Sequence, residues 1–291
     1  MTSRPVAIIA LLAVMVVWGS TFVVTKAAMT EMPPLTIAFI RVAIGTLILM
    51  PFAFRRNRGT HAALPWRWIT LMGFVGVALY YVVFNLSLAY TSASQGALVQ
   101  SSIPAVTAMI AVLWLREAAG KVRMLGILLS IIGVAIVFAG STAQASDTAP
   151  APVFGNVLMF ASVVCWGWYT AMAKRVAQCD AIVVTTWVTG IGALLLLPLC
   201  VLELLEEPWR MPTARAWFGV AYLGVFASGA GYLLYNFALK QMAASQVGVF
   251  TNLIPIVGVF AGVIALGEPL SWQAIAGGVI VMIGVWLTSR N

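Results

Sequence analysis

Charge is the scarcest property of this chain. Only 8% of its 291 residues are Asp, Glu, Lys or Arg, against roughly 25% in an ordinary soluble domain. With 62% hydrophobic residues, the sequence carries more apolar surface than a water-soluble core absorbs, so its solvent must be lipid. Acids are rarer than bases, 8 against 16, and none falls near the middle of a long apolar stretch. Histidine occurs once, at His61, in a polar connection. These shortages argue against enzymes. A membrane prenyl- or phosphotransferase needs acidic clusters to hold divalent metal. A protease needs a nucleophile with a base, or an acidic pair. The three cysteines, Cys165, Cys179 and Cys200, are odd in number and lack metal-ligand spacing. No disulfide framework, metal site or cofactor is expected. The charged rings and filter sequence of a channel are missing as well.

What abounds is apolar length. A spanning helix takes about 20 mostly apolar residues. Charges and Pro/Gly breaks divide the chain into ten such stretches, near residues 5–27, 34–54, 66–89, 93–114, 121–140, 153–174, 181–202, 213–238, 244–266 and 272–289. The expected fold is an all-α integral membrane protein with short loops. The first stretch is too long for a cleaved leader and shows no convincing cleavage pattern. The net charge of +8 is spread over loops, so nucleic acid is not an expected partner. The lipid bilayer and a small-molecule substrate are; monomer and homodimer stay equally open.

The chain also repeats itself. Residues 84–117 read FNLSLAYTSASQGALVQSSIPAVTAMIAVLWLRE, and residues 235–268 read YNFALKQMAASQVGVFTNLIPIVGVFAGVIALGE. A constant shift of 151 pairs Asn85 with Asn236, Gln95 with Gln246, Pro104 with Pro255 and Glu117 with Glu268. Continued, it pairs Gly126 with Gly277 and Gly133 with Gly284. Trp18, Gly19 and Lys26 return as Trp166, Gly167 and Lys174 at a shift of 148. Duplication within a membrane chain is the mark of many transporters, whose halves surround one substrate site.

Basic residues accumulate on the cytoplasmic side of spanning helices. With the N-terminus inside, Arg4, Arg55, Arg56, Arg58, Arg67, Arg116, Lys121, Arg123, Lys174, Arg175, Lys240 and Arg290 all fall inside. Lys26, Arg210 and Arg215 fall outside, and Arg41 lies within a span. The acids do the reverse: Glu31, Asp147, Glu203, Glu206, Glu207 and Glu268 fall outside, Glu117 and Asp180 inside. Both termini are therefore expected in the cytoplasm. Five spans per half is an odd number, so the second half must enter from the opposite face. The expected organisation is a first five-helix repeat over residues 1–140, an external linker over 141–152 and a second, inverted repeat over 153–291.

Trp18-Gly19-Ser20, Arg41 in the second span, Pro104 in the fourth, the Glu117 and Glu268 closures and the glycine-spaced fifth and tenth spans carry a family resemblance. Together they resemble the drug/metabolite transporter superfamily, in its ten-helix EamA-type branch. The resemblance covers essentially the whole chain. It implies a carrier of a bacterial inner membrane, often an exporter of amino acids or related metabolites, aromatic amino acids among them. It also implies a cavity lined largely by spans 1, 3, 4, 6, 8 and 9. Two departures stand out. Arg41 has no basic counterpart in span 7, and Gly267-Glu268-Pro269 fits the usual closure better than Arg116-Glu117-Ala118.

The candidate substrate-binding residues lie on those spans. Tyr81 and Asn85 are four apart and share a helix face; Tyr232 and Asn236 repeat them. Tyr80 and Tyr235 add rings with hydroxyls. An amide in lipid must face protein or a wet cavity. The choice is between a pocket, with rings against substrate and amides at its polar end, and plain interhelical hydrogen bonding. Trp18 and Thr21 in span 1, and Trp166, Trp168 and Tyr169 in span 6, lie deeper than interfacial anchors do. Span 4 contributes Gln100 and Ser101, and span 9 Asn252. Pro104 and Pro255 each remove a backbone hydrogen bond, which marks them as hinges or as static bends. For Arg41 a substrate carboxylate competes with snorkelling or helix-end carbonyls, and the structural role is expected. Lys26, Lys174, Glu117 and Glu268 are expected to complement the dipoles of their own helices.

The reading is a carrier exporting small organic solutes, amino acids with aromatic or other apolar side chains foremost. The missing mid-span acid points to facilitated diffusion, since proton-coupled carriers use such a relay. A proton-coupled exporter of organic cations and a non-transporting scaffold or receptor are the rivals.

Overall fold

The computed structural model describes residues 4–57, 64–116, 120–141, 146–206, 211–241 and 250–289. Among these the secondary structure is helical throughout, apart from an isolated bridge between Ser146 and Ala149. Lipid explains this: backbone groups in hydrocarbon must be satisfied within their own segment. The helices are α1 (Arg4–Ala28), α2 (Pro34–Asn57), α3 (Trp66–Tyr90), α4 (Ala93–Trp114), α5 (Lys121–Ser141), α6 (Pro152–Ala173) and α7 (Ala181–Glu206). After them come α8, which starts at Ala214, then α9 (Leu253–Leu266) and α10 (Trp272–Thr288). Eight of these are long and apolar enough to cross a membrane; α9 and α10 are apolar but shorter. Their outer surface is greasy to match, with Phe218 76%, Ile264 80% and Trp272 76% exposed.

Three helices are irregular at mid-length. In α3, residues Phe74–Leu79 widen into a π-helix before Tyr80. In α8 the same happens over Leu223–Ala230, between Ala214–Tyr222 and Gly231–Gln241. Adding 151 to the first segment gives 225–230, inside the second. Helix α4 is broken at Ser101–Ser102, with Pro104 in the first turn of the half that restarts at Ile103. Helix α9 likewise starts after turn residues Thr251–Asn252, with Pro255 near its beginning. Each interruption thus precedes its proline, as suits a residue that fits a first turn and not a helix interior.

Packing follows the small residues. Helix α1 lies against α8 and α9, α2 against α7 and the π segment of α8, and α3 against α6. Helices α5 and α10 pack together antiparallel through glycine. A Cβ on Gly126 would sit 2.6 Å from the Gly284 carbonyl, and one on Gly133 2.7 Å from that of Gly277. The obstructing atoms are backbone, so only glycine permits this approach. The main core, with Phe22, Phe84, Leu88, Met159 and Val188, joins α1, α3, α6 and α7.

Cross-helix polar contacts gather at two ends. At one, Glu203 accepts from the amides of Leu35 and Thr36, at 3.0 and 2.7 Å, so the end of α7 caps the start of α2. Glu31 accepts from the Thr213 amide and hydroxyl, so the α1–α2 turn caps α8. At the other end, Arg56 pairs with Asp180 at 2.9 Å.

Candidate functional site

The richest constellation is an aromatic cluster drawn from α1, α3, α6 and α8. Trp18 stands edge-on to Tyr232 at 6.0 Å and lies 5.3 Å from Tyr235. Tyr80 contacts Tyr81, Phe84 and Trp166 at 5.0, 5.6 and 5.3 Å, and Trp166 contacts Tyr169 at 5.1 Å. Such offset and edge-on pairs contribute about 0.5–1.5 kcal/mol each beyond burial. The π segments serve the cluster directly. The Trp18 indole N–H donates to the Ala227 carbonyl, inside the α8 segment, at 3.0 Å. The Tyr169 ring lies flush on Gly76, inside the α3 segment, where any Cβ would collide with it. A π turn frees carbonyls and widens the helix, and such turns are frequent at functional sites.

Polar groups punctuate the rings. Gln100, at the end of the first half of α4, donates to the Tyr80 hydroxyl at 2.9 Å and to Ser162 at 3.4 Å. Asn85 is fully buried; its Nδ2 donates to the Pro34 carbonyl at 2.8 Å, while its Oδ1 has no partner. Arg41, 4% exposed, holds its guanidinium over the Tyr81 ring at 4.9 Å. It neither reaches the surface nor takes helix-end carbonyls, contrary to the structural role expected of it.

The remaining candidates lie apart. Trp168 faces the opposite way from Trp166 and stands edge-on to Trp114, in a group with Trp68 and Arg175. Thr21 and Ser101 turn their hydroxyls onto the Trp18 and Leu98 carbonyls of their own helices. Asn252 is half-buried at the start of α9 and makes no side-chain cap. Asn236 lies on α8, but its side chain falls outside what is described, as do Glu117 and Gln246. A cleft of about 590 Å3 between α1 and α8, lined by Val24, Phe218, Tyr222 and Phe226, is apolar. Its hydroxyls, Ser20 and Tyr222, bond to each other at 2.8 Å. It offers no charged group, so the chemistry favours the aromatic cluster.

Lys26 and Glu268 do something other than serve their own helices. Lys26 Nζ donates to the carbonyls of Leu88, Thr91 and Thr148, at 2.8, 2.5 and 2.6 Å. Glu268 accepts from the amides of Ala93 and Ser94, at 2.7 and 2.8 Å, and from the Ser94 hydroxyl. The cation therefore closes the end of α3, and the carboxylate caps the start of α4. Helix α10 is capped instead by Ser271, which accepts from the Ala274 amide. Beside this turn Thr91, Gln95 and Asn156 form a buried polar network that sequence inspection missed.

The chain matches the EamA-like transporter family twice, over residues 5–139 and 153–290. It is 28% identical to the uncharacterized transporter YetK of Bacillus subtilis, covering 97% of this chain and 86% of that protein. An uncharacterized transporter of Archaeoglobus fulgidus is 25% identical over 95% of each chain. A solved crystal structure superposes with a TM-score of 0.65 over 98% of this chain and 99% of that one. At 21% identity this likeness concerns the fold alone. The EamA matches take in nearly every residue of both halves, and on that ground the protein belongs to the EamA-like transporter family and is a multi-pass membrane transporter.

Proposed function

We propose that this transporter is an alternating-access carrier that exports small organic solutes, chiefly amino acids with aromatic or other apolar side chains, across a bacterial inner membrane. The observation that carries the reading is the aromatic cluster. Its rings suit an apolar side chain, and its amides and hydroxyls suit a polar end. Tyr80, Tyr81, Trp18, Trp166, Tyr169, Tyr232 and Tyr235 are its proposed lining, with Asn85, Asn236 and Gln100 as polar contacts. The breaks beside Pro104 and Pro255 are its proposed hinges.

The halves 1–140 and 153–291 are proposed to be inverted-topology repeats. Their glycine packing supports this, because Gly126 meets Gly284 and Gly133 meets Gly277. Under the shift of 151 each pair maps onto the other, as two-fold contacts do. The loop charges support cytoplasmic termini. Scarcity of mid-span acids supports facilitated diffusion.

Counterflow of labelled L-phenylalanine in liposomes holding the purified protein tests the proposal. Saturable exchange, indifferent to an imposed pH gradient, is expected. A steep dependence on the proton gradient would sink the uncoupled mechanism. No saturable flux of any amino acid would favour a scaffold or receptor.

A further inference from the structure

We infer that Arg41 is an anion subsite of the aromatic cluster, built to receive the carboxylate of the transported solute. This rests on the amino-acid reading above and adds which residue recognises the charged end. Guanidinium stays protonated in any protein environment. Here it is 96% buried, and its Nε and Nη1 have no hydrogen-bond partner. The ion pair among the described residues is Arg56–Asp180, far from it in the chain. A buried charge without a counter-ion is costly, so the fold holds a cation suited to an incoming anion.

The same molecule shows what a structural cation looks like. Lys26 is also buried but spends its three donors on three carbonyls. Arg41 is positioned by another means. Tyr81 supports the face of its plane at 4.9 Å, and a cation–π contact of this kind leaves the in-plane N–H groups open. Asn85 supplies the complementary group. It lies one turn from Tyr81 on the same helix face, and its Nδ2 is anchored to Pro34. That anchor leaves its buried Oδ1 an acceptor without a donor. An open guanidinium and an open amide oxygen flanking one tyrosine suit an α-amino acid, with carboxylate to Arg41 and ammonium to Asn85.

Three ligands that share a benzyl group separate the possibilities: L-phenylalanine, L-phenylalaninamide and phenethylamine. Each is measured by thermal stabilisation of the detergent-purified full chain and by competition in counterflow. The wild type is expected to prefer the acid over both others by at least about tenfold, and Arg41→Gln to abolish that preference. Arg41→Lys should restore part of it. Equal potency of acid and amine in the wild type would overturn the inference while leaving an aromatic carrier standing. So would a preference for the acid that survives in Arg41→Gln. Should none of the three bind the wild type, the amino-acid reading itself fails and takes this subsite with it. If Arg41→Gln does not fold, the wild-type comparison of acid, amide and amine still decides.

Discussion

Single residues carry loads here that their types alone do not reveal. Lys26 reads as a cation complementing its own helix end, yet it closes α3 through Leu88 and Thr91 and holds Thr148. A buried carbonyl left without a donor costs about 1–3 kcal/mol. Lys26→Met should therefore lower stability by about 2 kcal/mol or more, seen as a fall in the detergent melting temperature. Flux per folded molecule is the separate readout for the site: Tyr81→Ala should cut it far more than Lys26→Met does. Backbone conformation gives a second residue-scale prediction. Arg116 has φ 55° and Gly267 φ 65°, at positions that correspond under the shift of 151. A side chain in this left-handed region costs about 1–2 kcal/mol, so glycine suits position 267 better than arginine suits position 116. Arg116→Gly should raise the melting temperature, and Gly267→Ala should lower it.

Helices in this protein are finished by residues from elsewhere in the chain. Glu203 caps α2, Glu31 caps α8 and Glu268 caps α4. An amide row at a helix start favours a carboxylate, but which carboxylate arrives depends on packing, so sequence spacing assigned Glu268 to α10. The Glu31 contact has a pH signature. The Thr213 amide first, and then its hydroxyl, hold the Glu31 carboxyl below its ordinary value of 4.5. A depressed folded pKa gives stability that is fully present above 4.5 and lost as pH falls through the lower folded value. A melting series from pH 6 downward should show wild type losing stability below about 4.5, and Glu31→Gln losing less. The π segments are the least legible elements. Nothing in Phe74–Leu79 or Leu223–Ala230 distinguishes them from ordinary apolar helix; each is fixed by what it meets, the Tyr169 ring or the Trp18 indole.

The whole molecule is held at one seam by backbone contact between α5 and α10. Gly133→Leu would push a side chain against the Gly277 carbonyl and the Val281 amide, neither of which can rotate away. Overpacking of this kind costs about 1–3 kcal/mol. Lower yield of folded protein and a lower melting temperature are expected, with Gly120→Ala, where a Cβ meets nothing within 4 Å, as the silent control. Much of this scale was visible in the glycine spacing at 126, 133, 277 and 284. Which glycine faces which was not, because spacing along one helix carries no information about register against another.

Composition and apolar length alone determined that the chain is a helical membrane protein, because lipid leaves the backbone no other way to satisfy its hydrogen bonds. The internal shift of 151 also placed the tyrosines and asparagines at matching positions. Only tertiary structure decided which of them meet. It joined Tyr80 to Gln100 and to Trp166, set Tyr169 against Trp166, sent Trp168 to another group, and gave Lys26 three partners while leaving Arg41 Nε and Nη1 none. The reason is physical: apolar burial in lipid is nearly indifferent to which helix covers which. The choice falls to close packing at small residues and to the few polar groups that must find one another.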